Sequence, residues 1–323
     1  MAQHPNETQA RLTQIAMAVK PEGYIADEVL PRVTVNKEAF KYRVFDIDEQ
    51  FTPLDTHIGR SSAANEVEFS SELVDGSTRD WGLDDFIPQK DLDDAADDPT
   101  LDLYGQAVEN TTNLVVLARE SRAAGIVFNA NSYDAAMQAQ LSGTSQWSHA
   151  DSDPVKAIRT AIYSMLLKPT IAVFGSKTWL HLSANPKLVA AIINTGGRGA
   201  GGTAAAGVAT EEAVAAFFGL KKVLVGDVFA NSAKKGQASS LGKVWGAHAA
   251  LLHINPQVAN AQSPMPTWGF TAALKGNGRS VRTWYDPKRG INGGQTVRVA
   301  EQINELITFK RLGYFFQDAV SLS

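Results

Sequence analysis

Apolar residues recur at three-to-four spacing in some stretches of the chain and at alternate positions in others, and these two periods separate helices from strands. Residues 7–19 place Leu12, Ile15, Ala16 and Val19 on one face of a short helix. A helix of that length is marginal in water, so the segment must order against another surface. Pro21, Gly23 and Pro31 then interrupt regular structure and predict an extended arm as far as about Phe40. Lys41-Tyr42-Arg43-Val44 alternates polar and apolar residues, as a strand does. From Asp46 to Phe86 large apolar residues are few, although residues 66–73 keep a period of two. This stretch has too little to bury to be core, and it predicts a protruding hairpin. Two arms of about 18 residues at ~3.3 Å per residue would reach on the order of 60 Å. Such a hairpin is barely stable by itself and needs a partner surface.

Asp98-Pro99 supplies a carboxylate cap and a first-turn proline. It predicts a long helix to about Gly125, with a stripe through Leu101, Tyr104, Val108, Thr111, Val115, Ala118 and Arg122. Asp153-Pro154 repeats the start signal, and Ile158, Ile162, Met165 and Leu166 continue an apolar face until Pro169. Shorter units follow. Residues 170–174 read as a strand, Ser176 opens a helix holding Trp179 and Leu180, and Asn185-Pro186 starts another through Ile193. Thr210-Glu211-Glu212 opens a helix closed by Gly219, and residues 223–225 form a buried strand. Residues 245–254, 267–274, 280–285 and 296–316 are mostly strand-like. The order of arm, hairpin, long helix, mixed centre and terminal strands makes the chain α+β.

Composition narrows the chemistry. The 323 residues are 44% hydrophobic, enough for a substantial core. The absence of cysteine removes disulfides, zinc–thiolate sites and thiol nucleophiles. Apolar runs are too short to span a bilayer, and residues 1–9 are polar, so a soluble intracellular protein without a membrane role is expected. The net charge of −4 hides an asymmetry: residues 46–98 hold 16 acids against Arg60, Arg79 and Lys90, while residues 219–311 hold 13 basic and 4 acidic residues. Two differently solvated faces would explain this. So would docking of the acidic region of one copy on the basic region of another.

The best enzyme signal is Gly197-Arg198-Gly199-Ala200-Gly201-Gly202, which has the spacing of a dinucleotide-binding loop. Residues 189–193 would have to be its strand, residues 210–218 its helix and Asp227 its ribose-binding acid. Asn185-Pro186 argues for a helix instead of that strand, and residues 203–207 separate the glycines from the helix that should hold phosphate. A surface loop is the simpler account, and no cofactor is expected. The six histidines form no metal pattern, and Asp91, Asp93, Asp94, Asp97 and Asp98 lack the glycine and glutamate of a calcium loop. No catalytic or metal site emerges.

A set of ordered segments carries a resemblance. These are Trp147 with Asp153-Pro154-Val155 and Ile158; Lys168-Pro169-Thr170 with Val173 and Gly175; Trp179-Leu180; Asn185-Pro186; residues 217–226; and Trp245-Gly246 leading to Leu251. Over about a third of the chain, their order and spacing resemble the major capsid proteins of tailed bacteriophages, which have the Hong Kong 97-type fold. One departure is Pro169-Thr170 where the family often has Pro-Asn-Thr. The resemblance implies an N-terminal arm over residues 1–45 and an extended loop over 46–88. It implies a peripheral domain over 89–170 with a spine helix at 99–125, an axial domain over 171–275, and return strands over 276–323.

The implied function is structural: pentamers and hexamers closing an icosahedral shell around double-stranded DNA contacted without sequence preference. A portal, a possible decoration protein and a separate scaffolding protein are the implied partners. The virion is the implied location, with assembly in the host cytoplasm. Glu66, Glu68, Glu72, Asp84 and Asp85 are the acidic interface candidates, with Arg279, Arg282, Lys288 and Arg289 as acceptors. Residues 46–86 hold no lysine, which excludes the loop-lysine crosslink some family members form. An encapsulin-type compartment subunit, which shares the fold but packages proteins, remains the structural alternative, and the dinucleotide enzyme the chemical one.

Overall fold

The computed structural model describes all residues except 1–4, 20, 46–47, 59, 61–62, 64–65, 67–69, 97–100, 197–206, 235, 256–265, 276–277 and 322–323. The chain opens with α1 (Pro5–Ala18), whose Leu12 and Ala16 are fully buried. The surface that orders this short helix is the body of its own chain, through Val108, Val115 and Val281. The arm beyond it is not wholly extended, because it contains one helical turn, α2 (Ala26–Val29), before strand β1 (Arg32–Val35).

The acidic excursion differs from expectation at both ends. Its outgoing strand, β2 (Ala39–Phe45), pairs antiparallel with β3 (Ser71–Ser77). After Thr78 the chain continues as β4 (Arg79–Pro88), which runs along the body of the molecule. Residues 79–88 therefore belong to a main sheet and not to a free hairpin. The ribbon's base is also anchored, since Tyr42 lies edge-on to Phe270 at 6.4 Å. Strand pairing inside 66–70 is not seen at the described positions 66 and 70, and residues 67–69 lie outside the described residues.

After α3 (Gln89–Ala95) comes the long helix α4 (Leu103–Val127). Its cap is Asp102, which accepts from the Gly105 N–H at 3.0 Å; Asp98 and Pro99 lie outside the described residues. Gly125 does not stop the helix, because Ala123, Ala124 and Val127 around it are buried and hold the last turn in place. The predicted stripe holds at Val108, Thr111 and Val115. It then drifts: Ala118 is exposed, and Arg119 and Glu120 are buried in its place.

The mixed centre follows the predicted signals closely. Short β5 (Gln138–Gln140) precedes α5 (Pro154–Ser164), which is capped by Asp153 through the Lys156 N–H at 2.9 Å. Next come β6 (Ile171–Gly175), α6 (Ser176–Ser183), α7 (Pro186–Gly196), α8 (Glu211–Phe218) and β7 (Lys222–Gly226). Thr210 caps α8 by accepting from the Ala213 N–H at 3.3 Å, and Gly219 ends it at φ +72. A small ribbon of β8 (Phe229–Asn231) and β9 (Leu241–Lys243) leads to β10 (Ala249–Leu252). The terminal strands are β11 (Gly269–Leu274), β12 (Ser280–Asp286), β13 (Gly294–Ile307) and β14 (Gly313–Gln317).

These strands build two five-stranded sheets. One has the order β1-β11-β13-β12, with β4 also paired to β13. Its inner face, including Val297, Val299 and Ile303, is buried toward α1 and α4. The other has the order β5-β14-β10-β6-β7. Helices α5–α8 cover one of its faces around Phe174, Leu251 and Phe316. The end of α4, α2 and Trp268 cover the opposite face around Val173, Ala250 and Phe315.

Candidate functional site

The nine charged residues singled out from the sequence separate into two groups. Asp84 and Arg298 sit opposite each other on β4 and β13. Arg298 donates to both Asp84 carboxylate oxygens, at 2.6 and 2.7 Å. Those hydrogen bonds hold the Asp84 carboxyl below the usual carboxylate range. Asp84 is thus engaged within its own chain, and Arg298 is a partner that sequence reasoning missed. Arg279 is also turned inward: it donates to the Ala16 carbonyl at 2.7 Å and closes the C-terminal end of α1. Burial lowers its pKa. Asp84 and Arg279, two of the interface candidates, thus each hold a partner within the chain itself.

The other group faces outward. Arg282 is exposed directly across from Arg298 on β12, and Lys288 and Arg289 are exposed in the turn that follows β12. Arg289 keeps a loose pairing with Asp286 at 3.5 Å, and its guanidinium lies 5.2 Å from the centre of the Phe86 ring. Glu66 and Glu72 are exposed on the excursion and Asp85 is half-buried, while Glu68 lies outside the described residues. Between β4, β13 and β12 runs an open trough of about 580 Å³. Its floor is the cross-strand row Gly82, Ala300 and Ser280, with Arg282 and Arg298 on one side and Asp80 and Gln302 on the other. Small side chains in register make the depression, and a Cβ on Gly82 would meet the Ala300 Cβ at 3.0 Å.

Beside this surface lies a charge network that periodicity could not reveal, with Arg119, Glu301 and Glu305 buried and Asp27 at its exposed edge. Asp27 on α2 pairs with Arg119 on α4 and with Arg32 on β1 at 2.9 Å. Burial raises the Asp27 carboxyl, but the two guanidinium groups outweigh it and the net shift is downward. Arg32 also reaches Glu301 on β13 at 3.1 Å, and Arg122 reaches Glu305 at 3.1 Å. The guanidinium of Arg122 stacks on the Trp81 ring at 3.8 Å, which brings β4 into the same network.

Glu120 fastens the two sheets and the arm together. Its carboxylate accepts from the Ile25 N–H at 2.7 Å, the Ala26 N–H at 3.0 Å and the Trp245 indole N–H at 2.7 Å. Two of those donors are the open backbone groups at the start of α2, so a side chain of α4 caps α2 from a distance. Burial pushes the Glu120 pKa up, against the effect of these hydrogen bonds. Trp245 reaches this position because Gly226 and Gly175 leave room: a Cβ on Gly226 would stand 2.1 Å from the indole, and one on Gly175 would stand 1.9 Å from the Trp245 carbonyl. Three of the motif residues in the sequence thus act as one packing unit.

The enzyme alternative loses its scaffold. Residues 186–196 are a helix where a dinucleotide site needs a strand, and Asp227 is paired with Lys243. The glycine run 197–202 lies outside the described residues. Among the described residues, no cluster of histidine, aspartate or glutamate could hold a metal ion. No helix among them is long and apolar enough to cross a membrane.

A spine-like helix under a long-stranded sheet, a second helix-covered sheet, an N-terminal arm and a projecting ribbon define the Hong Kong 97-type fold. A phage-related protein from Bordetella bronchiseptica RB50 shares this architecture with a TM-score of 0.74 at 20% identity, covering 96% of each chain. The capsid of the cyanophage P-SCSP1u shares it with a TM-score of 0.55 at 11% identity, over 90% of this chain and 86% of that one. No family model matches the sequence. The major capsid protein of Pseudomonas phage JBD67 is 40% identical over 99% of this chain and all of its own length. The chain belongs to the family of phage major capsid proteins. It is a structural component of the virion capsid and not an enzyme.

Proposed function

We propose that copies of this chain join as pentamers and hexamers and close an icosahedral shell around double-stranded DNA. Closed symmetry holds each subunit through several neighbours at once, so modest contacts accumulate. On this reading the sheet of β13 with α1 and α4 is the peripheral domain, and the sheet of β6 with α5–α8 is the axial domain. Assembly takes place in the host cytoplasm with a separate scaffolding protein, a portal and a decoration protein. Contacts to the packaged DNA are electrostatic and independent of sequence.

The observation that carries this reading is the outer part of the excursion. Phe51, Leu54 and Ile58 are 50%, 54% and 56% exposed there. Three large apolar side chains on one projecting segment need cover, and a neighbouring subunit supplies it. The acidic side chains Glu66, Glu68, Glu72 and Asp85 of one copy then face Arg282, Lys288 and Arg289 of the next. Asp84 and Arg279 leave that set because each is engaged inside its own chain.

Reversing the charge of the exposed pair, Arg282→Glu with Lys288→Glu, tests the pairing. The variant should keep the wild-type melting temperature as a monomer, while electron microscopy shows particle yield reduced about tenfold or more at low salt. Wild-type yield at every salt concentration would remove this pairing. Purified wild-type particles holding protein cargo instead of nucleic acid would remove the DNA shell.

A further inference from the structure

We infer that Asn292 is a site of spontaneous deamidation, a slow chemical change that removes the net positive charge of the turn between β12 and β13. The chemistry is that of an asparagine followed by a glycine. The Gly293 backbone nitrogen attacks the carbonyl carbon of the Asn292 side chain, so that a bond from that nitrogen to Cγ forms and the Cγ–Nδ2 bond breaks. Ammonia leaves with the proton of the Gly293 N–H. Water then opens the cyclic imide to aspartate or isoaspartate. No oxidant, metal or second protein is required.

Three observations single out this position. Asn292 is exposed in the turn, beside the fully exposed Ile291. The fold also requires a glycine after it: Gly293 has φ +68, and a Cβ there would collide with the Tyr285 hydroxyl. No side chain on the following residue therefore shields the nucleophile, and among the other asparagines only Asn277 precedes a glycine. The third observation is a hydrogen bond, in which the Tyr285 hydroxyl donates to the Asn292 backbone carbonyl at 2.8 Å. That carbonyl shares a peptide unit with the Gly293 nitrogen. When the nitrogen loses its proton, the negative charge is shared with the carbonyl oxygen, where the hydroxyl already points. Tyr285 thus stabilises the developing charge as an oxyanion-hole donor does. Among the described residues, nothing accepts a hydrogen bond from the Gly293 N–H, so the nucleophile is free.

The change alters what the turn presents. Residues 286–293 carry two cations, Lys288 and Arg289, against one carboxylate, Asp286, and a second carboxylate at 292 cancels the excess. The site follows from the geometry of this chain alone. Its consequence rests on the shell reading, in which Lys288 and Arg289 meet acidic side chains of a neighbouring copy. An aged subunit then offers that contact a turn without net charge, and electrostatic complementarity is weakened.

The test is a time course on purified, unassembled protein held in mildly alkaline buffer, digested with trypsin at intervals and read by mass spectrometry. The peptide of residues 290–298 reports Asn292, and that of residues 276–279 reports Asn277 as an internal reference. The first peptide should gain the mass of an acid over an amide and separate into aspartate and isoaspartate forms. Tyr285→Phe, which keeps the ring, should slow this conversion about fivefold and leave the reference rate unchanged. A 290–298 peptide that stays an amide overturns the site. Equal or faster conversion in Tyr285→Phe overturns the part given to the hydroxyl. Asn292→Asp should assemble at lower yield than Asn292→Gln at low salt, and equal yields overturn the consequence for the shell. Because the mass readings need no assembly, a failure of the shell reading leaves their outcome distinct.

Discussion

The sheet around β6 and β10 lies between apolar layers on both faces, whereas the sheet around β13 rests on a helix that brings buried charges with it. In the first, β6 and β10 are buried at every position, and their partners are Leu182, Leu188, Phe315 and Trp268. In the second, β13 alternates, and its inner face mixes Val297 and Val299 with Glu301. The first kind of core tolerates almost any apolar filler of the right volume. The second fixes one arrangement of arm, helix and strand, because a misplaced charge is left buried without a partner. The half with the charged joint also carries the excursion and the trough.

The largest expected effect comes from removing the residue that joins the two halves. Trp245→Ala opens a cavity beside Gly226 and deprives Glu120 of a donor, and should cost about 4–5 kcal/mol in denaturant unfolding of the monomer. A loss of less than about 1 kcal/mol would mean that the halves do not depend on this joint.

Glu301→Ala probes the charged half alone. It leaves Arg32 and Arg122 without a carboxylate they both approach, and a loss of about 3 kcal/mol is expected. Replacing both partners, Glu301→Met with Arg32→Leu, should recover most of that loss. If the double variant is no better than the single one, the penalty is one of packing, and the contrast between the two cores disappears.

The smallest effect belongs to the exposed pair. Asp84→Asn should change stability by less than about 1 kcal/mol at neutral pH, because the pair faces water. The sign of its pH dependence follows from the lowered carboxyl pKa in the folded chain. The pair's contribution is present above the unfolded carboxylate value of about 4 and is lost as pH falls through the lower folded value. Melting temperature should therefore drop less steeply in acid for Asp84→Asn than for wild type. Equal slopes would show that the hydrogen bonds from Arg298 contribute nothing.

The half built around β6 and β10 was legible because its signals are local. Asp153-Pro154, Asn185-Pro186, Thr210 and Gly219 mark helix ends through groups within a few residues, and the structure uses each of them at such an end. The long helix was legible as an element but not in its second half, where Arg119 and Glu120 replace the apolar stripe. Nothing local calls for a buried carboxylate; its donors are about a hundred residues away, at Ile25, Ala26 and Trp245. The same holds for the proposed contact residues. Sequence ranked Asp84 and Arg279 with Arg282 by charge alone, and only their neighbours in space show which are already engaged.

The sequence by itself determined the order of elements, the α+β class, the lack of thiol chemistry and the family resemblance, because those depend on spacing and composition along the chain. Tertiary structure alone decided that β4 leaves the excursion for the body, that the excursion's outer apolar residues stay uncovered, and which charges are fastened inside. Strand partners and ion pairs are chosen between residues far apart in sequence, where geometry, and not periodicity, determines which groups meet.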